Sequence, residues 1–99
     1  METRKMKRNH PGAILKMELI DGQGLTISKV AELLNTTRTN ISNILNGKTA
    51  ISPNMALRIQ EVFGGEASHF LRMQLNYDLE RAEIAFRRNP PKIKKHAFA

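Results

Sequence analysis

Residues 37–49 read Thr-Arg-Thr-Asn-Ile-Ser-Asn-Ile-Leu-Asn-Gly-Lys-Thr, and they concentrate the side chains best suited to reading another molecule. At about 100° per residue, Ile41, Ile44 and Leu45 gather on one side of a helix. Thr39 and Asn43 then point almost directly away, with Asn40 and Ser42 flanking them and Arg38 at the exposed N-terminus. The outward set contains no acid and no large apolar residue. Asn can bond an adenine edge bidentately, Arg can meet guanine or phosphate, and the Thr methyl can touch thymine. Directly behind, Asn46-Gly47-Lys48-Thr49 offers backbone N–H groups, an ammonium and a hydroxyl to a phosphate. An ordinary solvated helix also has a polar outer face, but it normally carries Glu. The lack of acid and the adjoining loop favour a DNA-reading helix.

Other chemistry finds little support. With no Cys, thiolate nucleophiles, disulfides and thiolate metal sites are excluded. His10, His69 and His96 are far apart and have no Cys or paired carboxylates at ligand spacing. His10 reads as a cap or packing residue at the start of the first helix. Glu80 and Glu83 share a helix face that reads as solvated. Gly22-x-Gly24 has no Lys-Ser/Thr after it, so it reads as a helix terminator and not a phosphate loop. No enzyme, metal or cofactor is expected.

The reading helix needs elements to hold it, and these read as all-α. Almost nothing alternates with period two. A first helix follows Pro11-Gly12, with Ile14, Leu15 and Leu19 on one face, and ends at Gly22 and Gly24. Thr26 caps a short second helix bearing Val30, Ala31 and Leu34. Asn35 provides a left-handed turn residue. Thr37 caps the third helix, which runs from about Arg38 to Leu45, and Asn46-Gly47 closes it. Ser52-Pro53 opens a fourth helix bearing Ala56, Leu57, Ile59, Val62 and Phe63, and Gly64-Gly65 stops it. Ser68 is expected to cap the longest helix, over about residues 68–88, and Asn89-Pro90-Pro91 ends it. That helix bears two apolar stripes: Leu71, Leu75, Leu79, Ala82 and Phe86, and Phe70, Met73, Tyr77 and Ile84. Either one wide buried face or a dimer seam accounts for them. The pair spanning about residues 26–45 meets the requirements of a helix-turn-helix: Ala31 allows close crossing, Asn35 makes the turn, and Ile41 and Ile44 anchor the second helix.

The chain has 99 residues, 40% of them apolar, enough for one small domain. No apolar run reaches the roughly 18 residues of a membrane span, and no secretory signal is evident, so a cytoplasmic protein is expected. Its net charge is +7, from 16 Lys and Arg against 9 Asp and Glu. The excess lies at the ends. Residues 1–9 carry Arg4, Lys5, Lys7 and Arg8 against Glu2, and residues 87–99 carry Arg87, Arg88, Lys92, Lys94 and Lys95 with no acid. Such termini suit a polyanion, though they also aid solubility. The organisation expected is a basic arm over 1–9, a domain over 10–88 and a basic flexible tail over 89–99.

His10-Pro11-Gly12, then Ile41-Ser42 and Leu45-Asn46-Gly47-Lys48 within residues 25–48, resemble the HigA (VapI-like) antitoxin family, helix-turn-helix proteins of the phage-repressor (XRE/Cro) type. Ile51-Ser52-Pro53, Ala56-Leu57-Arg58 and Gln74-Leu75-Asn76-Tyr77-Asp78-Leu79 extend the likeness, which covers residues 10–83. The resemblance implies a five-helix domain with a long C-terminal helix. It also implies an operator-binding homodimer that represses its own toxin–antitoxin operon and neutralises a HigB-type ribonuclease toxin. Base-reading residues would be Thr37, Arg38, Thr39, Asn40 and Asn43; phosphate-binding residues would be Thr26, Ser28, Asn46, Lys48 and Thr49. The departures are Ile27 where the family usually has a phosphate-contacting Gln, Asn35 at the turn Gly, and Leu71 at a frequent Trp. A plain repressor without a toxin partner, or chiefly a toxin-binding protein, are the alternatives.

Overall fold

The computed structural model describes residues 9–97. The expected basic arm, apart from Asn9, lies outside that span, as do tail residues 98–99. Five helices and no strand are present among the described residues: α1 (Pro11–Leu15), α2 (Ile27–Leu33), α3 (Arg38–Leu45), α4 (Pro53–Phe63) and α5 (Ala67–Arg88). From Lys16 to Gly22 the first helix widens into a π-helical turn, with the Gln23 N–H reaching the Glu18 carbonyl at 3.0 Å.

Local chemistry explains most of the boundaries. Thr26, Thr37 and Ser52 each accept, through the hydroxyl, the N–H three residues ahead, satisfying a first-turn donor of α2, α3 and α4. The turn between α2 and α3 is a Schellman closure: the Asn35 N–H reaches the Glu32 carbonyl and the Thr36 N–H the Ala31 carbonyl. It requires a left-handed residue, and Asn35 has φ 54°. The fifth helix departs from expectation. Ser68 does not cap it; Glu66 holds the cap position without a side-chain bond. Instead the Gln60 Oε1, on α4, accepts from the Ala67 N–H at 2.8 Å, so a neighbouring helix serves that donor.

The core joins Leu15 and Leu19 with Val30, Ala31 and Leu34 of the α2 segment, Ile41, Ile44 and Leu45 of α3, and Ile51, Met55, Ala56 and Ile59 around α4. Each buried Ile or Leu contributes about 1.5–3 kcal/mol relative to exposure. Of the apolar residues of α4, Leu57 and Val62 are exposed, while Met55 is buried with Ala56 and Ile59. The inward stripe of Met55, Ala56, Ile59 and Phe63 is narrower than the apolar set suggested, because α4 meets the body along one side. On α5 only the N-terminal half packs. Phe70, Leu71, Met73 and Tyr77 are half-buried and Gln74 is buried, while every described residue from Arg81 onward is exposed. Leu75, Leu79 and Phe86 face outward, which rules out one wide buried face within the single chain.

Candidate nucleic-acid interface

The helix-turn-helix is pinned from behind. Ile41, Ile44 and Leu45 are 2–5% exposed and Ala31 is 3% exposed, so α3 crosses α2 closely with its apolar side down. Its outer face is left to Arg38 and Thr39, both exposed, and to Asn40, Ser42 and Asn43, which are half-buried. Thr37 is exposed, but its hydroxyl already caps α3. The Asn40 Nδ2 donates to the Thr36 Oγ1 at 3.0 Å, which orients the amide and leaves its oxygen and a second N–H outward. The Asn43 backbone carbonyl accepts from the Lys48 and Thr49 N–H groups, a role that does not involve its side chain.

The loop behind α3 needs one correction. Its backbone N–H groups do not stand ready for a phosphate. Gly47 donates to the Ile44 carbonyl at 3.0 Å, and Lys48 and Thr49 donate to the Asn43 carbonyl at 2.8 and 3.3 Å. These bonds complete a second Schellman closure, whose left-handed position is Gly47 at φ 73°. The last carbonyls of a helix must find donors, and they take those nearest. What the loop presents outward is the exposed side chains of Asn46, Lys48 and Thr49, with the Asn46 Nδ2 also donating to Ser42. Thr26 and Ser28, at the start of α2, are exposed too. Ile27, one of the departures from the family pattern, is partly buried and packs against the core.

Two supports hold the helix pair from its flanks, and the first is not legible in the sequence. Arg58, on α4, turns inward: its Nη1 donates to the Leu34 and Asn35 carbonyls, both at 3.0 Å. It thereby clamps the interhelical turn to α4. We expect Arg58→Met to lose about 1.5–3 kcal/mol of unfolding free energy, the range for bonds to a charged group, measured by urea denaturation. Unchanged stability would show that the clamp contributes nothing.

The second support is His10. Its Nδ1 accepts from the Gly12 N–H at 2.9 Å, capping α1 as expected, and the ring is 7% exposed. It also lies 3.6 Å from where a Gly47 Cβ would be, and meets the Tyr77 ring edge-on at 5.0 Å. Burial lowers its pKa below the ordinary 6.5, against the upward pull of a hydrogen bond with the Thr49 backbone and of the Asp78 carboxylate. Folded protein therefore binds the proton less readily than unfolded chain. Stability is full above the unfolded value and falls as pH drops through 6.5 towards the depressed folded value. A melting temperature lower at about pH 5.5 than at about pH 7.5, with the difference reduced in His10→Asn, is the expected result.

Among the described residues no group of three or more His, Asp or Glu could hold a metal ion, and no helix is long and apolar enough to cross a membrane. The geometry is that of a polar helix held out from an apolar body, with cations at both of its ends, Arg38 and Lys48.

Comparison with known proteins agrees with this geometry. The helix-turn-helix family model matches residues 15–70. Virulence-associated protein A of Dichelobacter nodosus is 42% identical over 79 residues, 78% of each chain. Antitoxin HigA-1 of Vibrio cholerae is 31% identical over 78 residues, 77% of this chain and 73% of that one. Among solved structures, antitoxin HigA of Pseudomonas aeruginosa with the higBA promoter superposes with a TM-score of 0.79 at 25% identity, covering 88% of this chain and 96% of that one. This chain belongs to the HigA/VapI-like antitoxin family of DNA-binding helix-turn-helix proteins.

Proposed function

We propose that this protein is a cytoplasmic antitoxin that binds its own operator as a homodimer, represses its operon and neutralises a HigB-type ribonuclease toxin. The observation that carries the DNA reading is the outer face of α3, which is polar and free of acid, on a helix fixed by three buried apolar residues. Thr37, Arg38, Thr39, Asn40 and Asn43 read bases. Thr26, Ser28, Asn46, Lys48 and Thr49 hold phosphates through their side chains. A palindromic operator with half-sites about 34 Å apart requires two copies. The outward Leu75, Leu79 and Phe86 of α5 are the apolar surface on which a second copy would close.

The test is binding to the DNA upstream of the gene against scrambled DNA at about 150 mM salt, with footprinting. A preference of about a thousandfold with a dimer-sized footprint is expected. Equal, salt-sensitive binding to both would leave only sequence-independent attraction and overturn the repressor reading. Toxin neutralisation is tested separately, by mixing with the product of the neighbouring gene and assaying mRNA cleavage. Loss of cleavage is expected; intact cleavage with intact operator binding would make the protein a plain repressor.

A further inference from the structure

One side of α5 holds both ends of the loop that follows α3. Gln74 is 6% exposed. Its Oε1 accepts from the Ile51 N–H at 2.9 Å, and its Nε2 donates to the Asp78 Oδ1 at 3.0 Å. Ile51, itself 2% exposed, ends the stretch that begins at Asn46. One turn further along, Tyr77 lies against His10, whose ring packs on Gly47. The Arg81 guanidinium stands 5.6 Å from the centre of the Tyr77 ring on its outer side. Gln74, Tyr77, Asp78 and Arg81 fall at helical spacings of three, four and seven, so they share one face of α5. A buried amide on a buried N–H is a directional constraint, since misplacing either group leaves it unsatisfied. Lys48 and Thr49, between these anchors, have exposed side chains, and among the described residues their backbone is tied in through the α3 closure.

We infer that Gln74, buried on α5, is a positioning residue for operator binding: through Ile51 it sets where Lys48 and Thr49 meet the phosphate backbone. The inference rests on the DNA reading proposed above and adds to it a dependence on α5. It separates two effects. Base preference belongs to α3, whose face does not involve Gln74; phosphate binding belongs to the loop, which does.

The experiment compares full-length wild type with Gln74→Met and with Gln74→Glu combined with Asp78→Asn. Met keeps length and helix propensity but cannot accept the Ile51 N–H. The double variant exchanges donor and acceptor between positions 74 and 78 and keeps the bond to Ile51. Operator affinity is measured over a range of salt, together with amide exchange at Ile51 and helix content. For Gln74→Met we expect faster Ile51 exchange and unchanged preference between operator and base-substituted operators. The slope of log K against log salt should flatten by about 0.9 for each phosphate that the loop no longer neutralises, and each should weaken binding about fivefold at about 150 mM salt. The double variant should recover both slope and exchange protection.

A folded Gln74→Met with wild-type affinity and slope overturns the inference while wild-type operator preference stands. A wild type that fails to discriminate operator from scrambled DNA overturns the DNA reading and this inference with it, whatever the exchange data show. If Gln74→Met does not fold, Asp78→Ala decides, because its side chain bonds the Gln74 amide and its loss leaves the bond to Ile51 without that brace. A flatter slope supports the positioning role, and an unchanged slope overturns it.

Discussion

Gly12→Ala should cost about 3 kcal/mol of stability and lower the melting temperature by about 12–24 °C. A Cβ on Gly12 would overlap the Ile44 carbonyl oxygen and come within 3.0 Å of the His10 Nδ1. Neither neighbour is a flexible side-chain end that could swing aside. The first is backbone in the last turn of α3, and the second is a ring fixed by its bond to the Gly12 N–H. Relief requires α1 to move off α3 or His10 to lose its cap, and either change uncovers Leu15 and Ile44 from the core. Thermal melts followed by circular dichroism check this. A loss under about 0.5 kcal/mol, the range of ordinary surface substitutions, would show that the two helices part without penalty. A Gly beside a helix-starting Pro looks in sequence like simple helix punctuation; here it is the contact surface between α1 and α3.

Asn43→Ala and Lys48→Ala should both weaken operator binding, and they should do so differently. For Asn43→Ala we expect a loss of about 1–3 kcal/mol per half-site, confined to the operator and accompanied by relaxed preference at one base position. For Lys48→Ala we expect a similar fractional loss on operator and random DNA, with a salt slope flatter by about 1 for each phosphate released. The structure makes Asn43 the cleanest probe of reading. Its carbonyl closes the Schellman motif and survives truncation, whereas Thr37→Ala removes a helix cap and Asn40→Ala removes the bond to Thr36. Electrophoretic mobility shifts against operator, single-base variants and scrambled DNA distinguish the outcomes. Equal losses on all three DNAs for Asn43→Ala would remove it from the base-reading set.

Features settled within a few residues are legible in the chain alone. Thr26, Thr37 and Ser52 cap helices because a hydroxyl reaches the N–H three positions ahead, whatever the rest of the chain does. Asn35 and Gly47 end α2 and α3 because those turns need left-handed backbone. Ile41, Ile44 and Leu45 face inward because helical period alone groups them. The polar face of α3 is legible for the same reason, whereas the family is carried by the resemblance of several separate motifs and not by periodicity. Packing in three dimensions settles the rest. Gln60 serving Ala67, Arg58 clamping Leu34 and Asn35, and Gln74 holding Ile51 are bonds between residues 7 to 24 positions apart. Long polar side chains read as solvent-facing until a partner is brought to them, and nothing in local periodicity records that partner. That the loop amides are occupied is hidden for a related reason: donors near a helix end serve its carbonyls first. How much of each α5 stripe is covered is equally open in the sequence, because the stripes look alike along their length until the helix meets the body. Here packing half-buries Phe70, Met73 and Tyr77 of one stripe and Leu71 of the other, and leaves Leu75, Leu79, Ile84 and Phe86 outside.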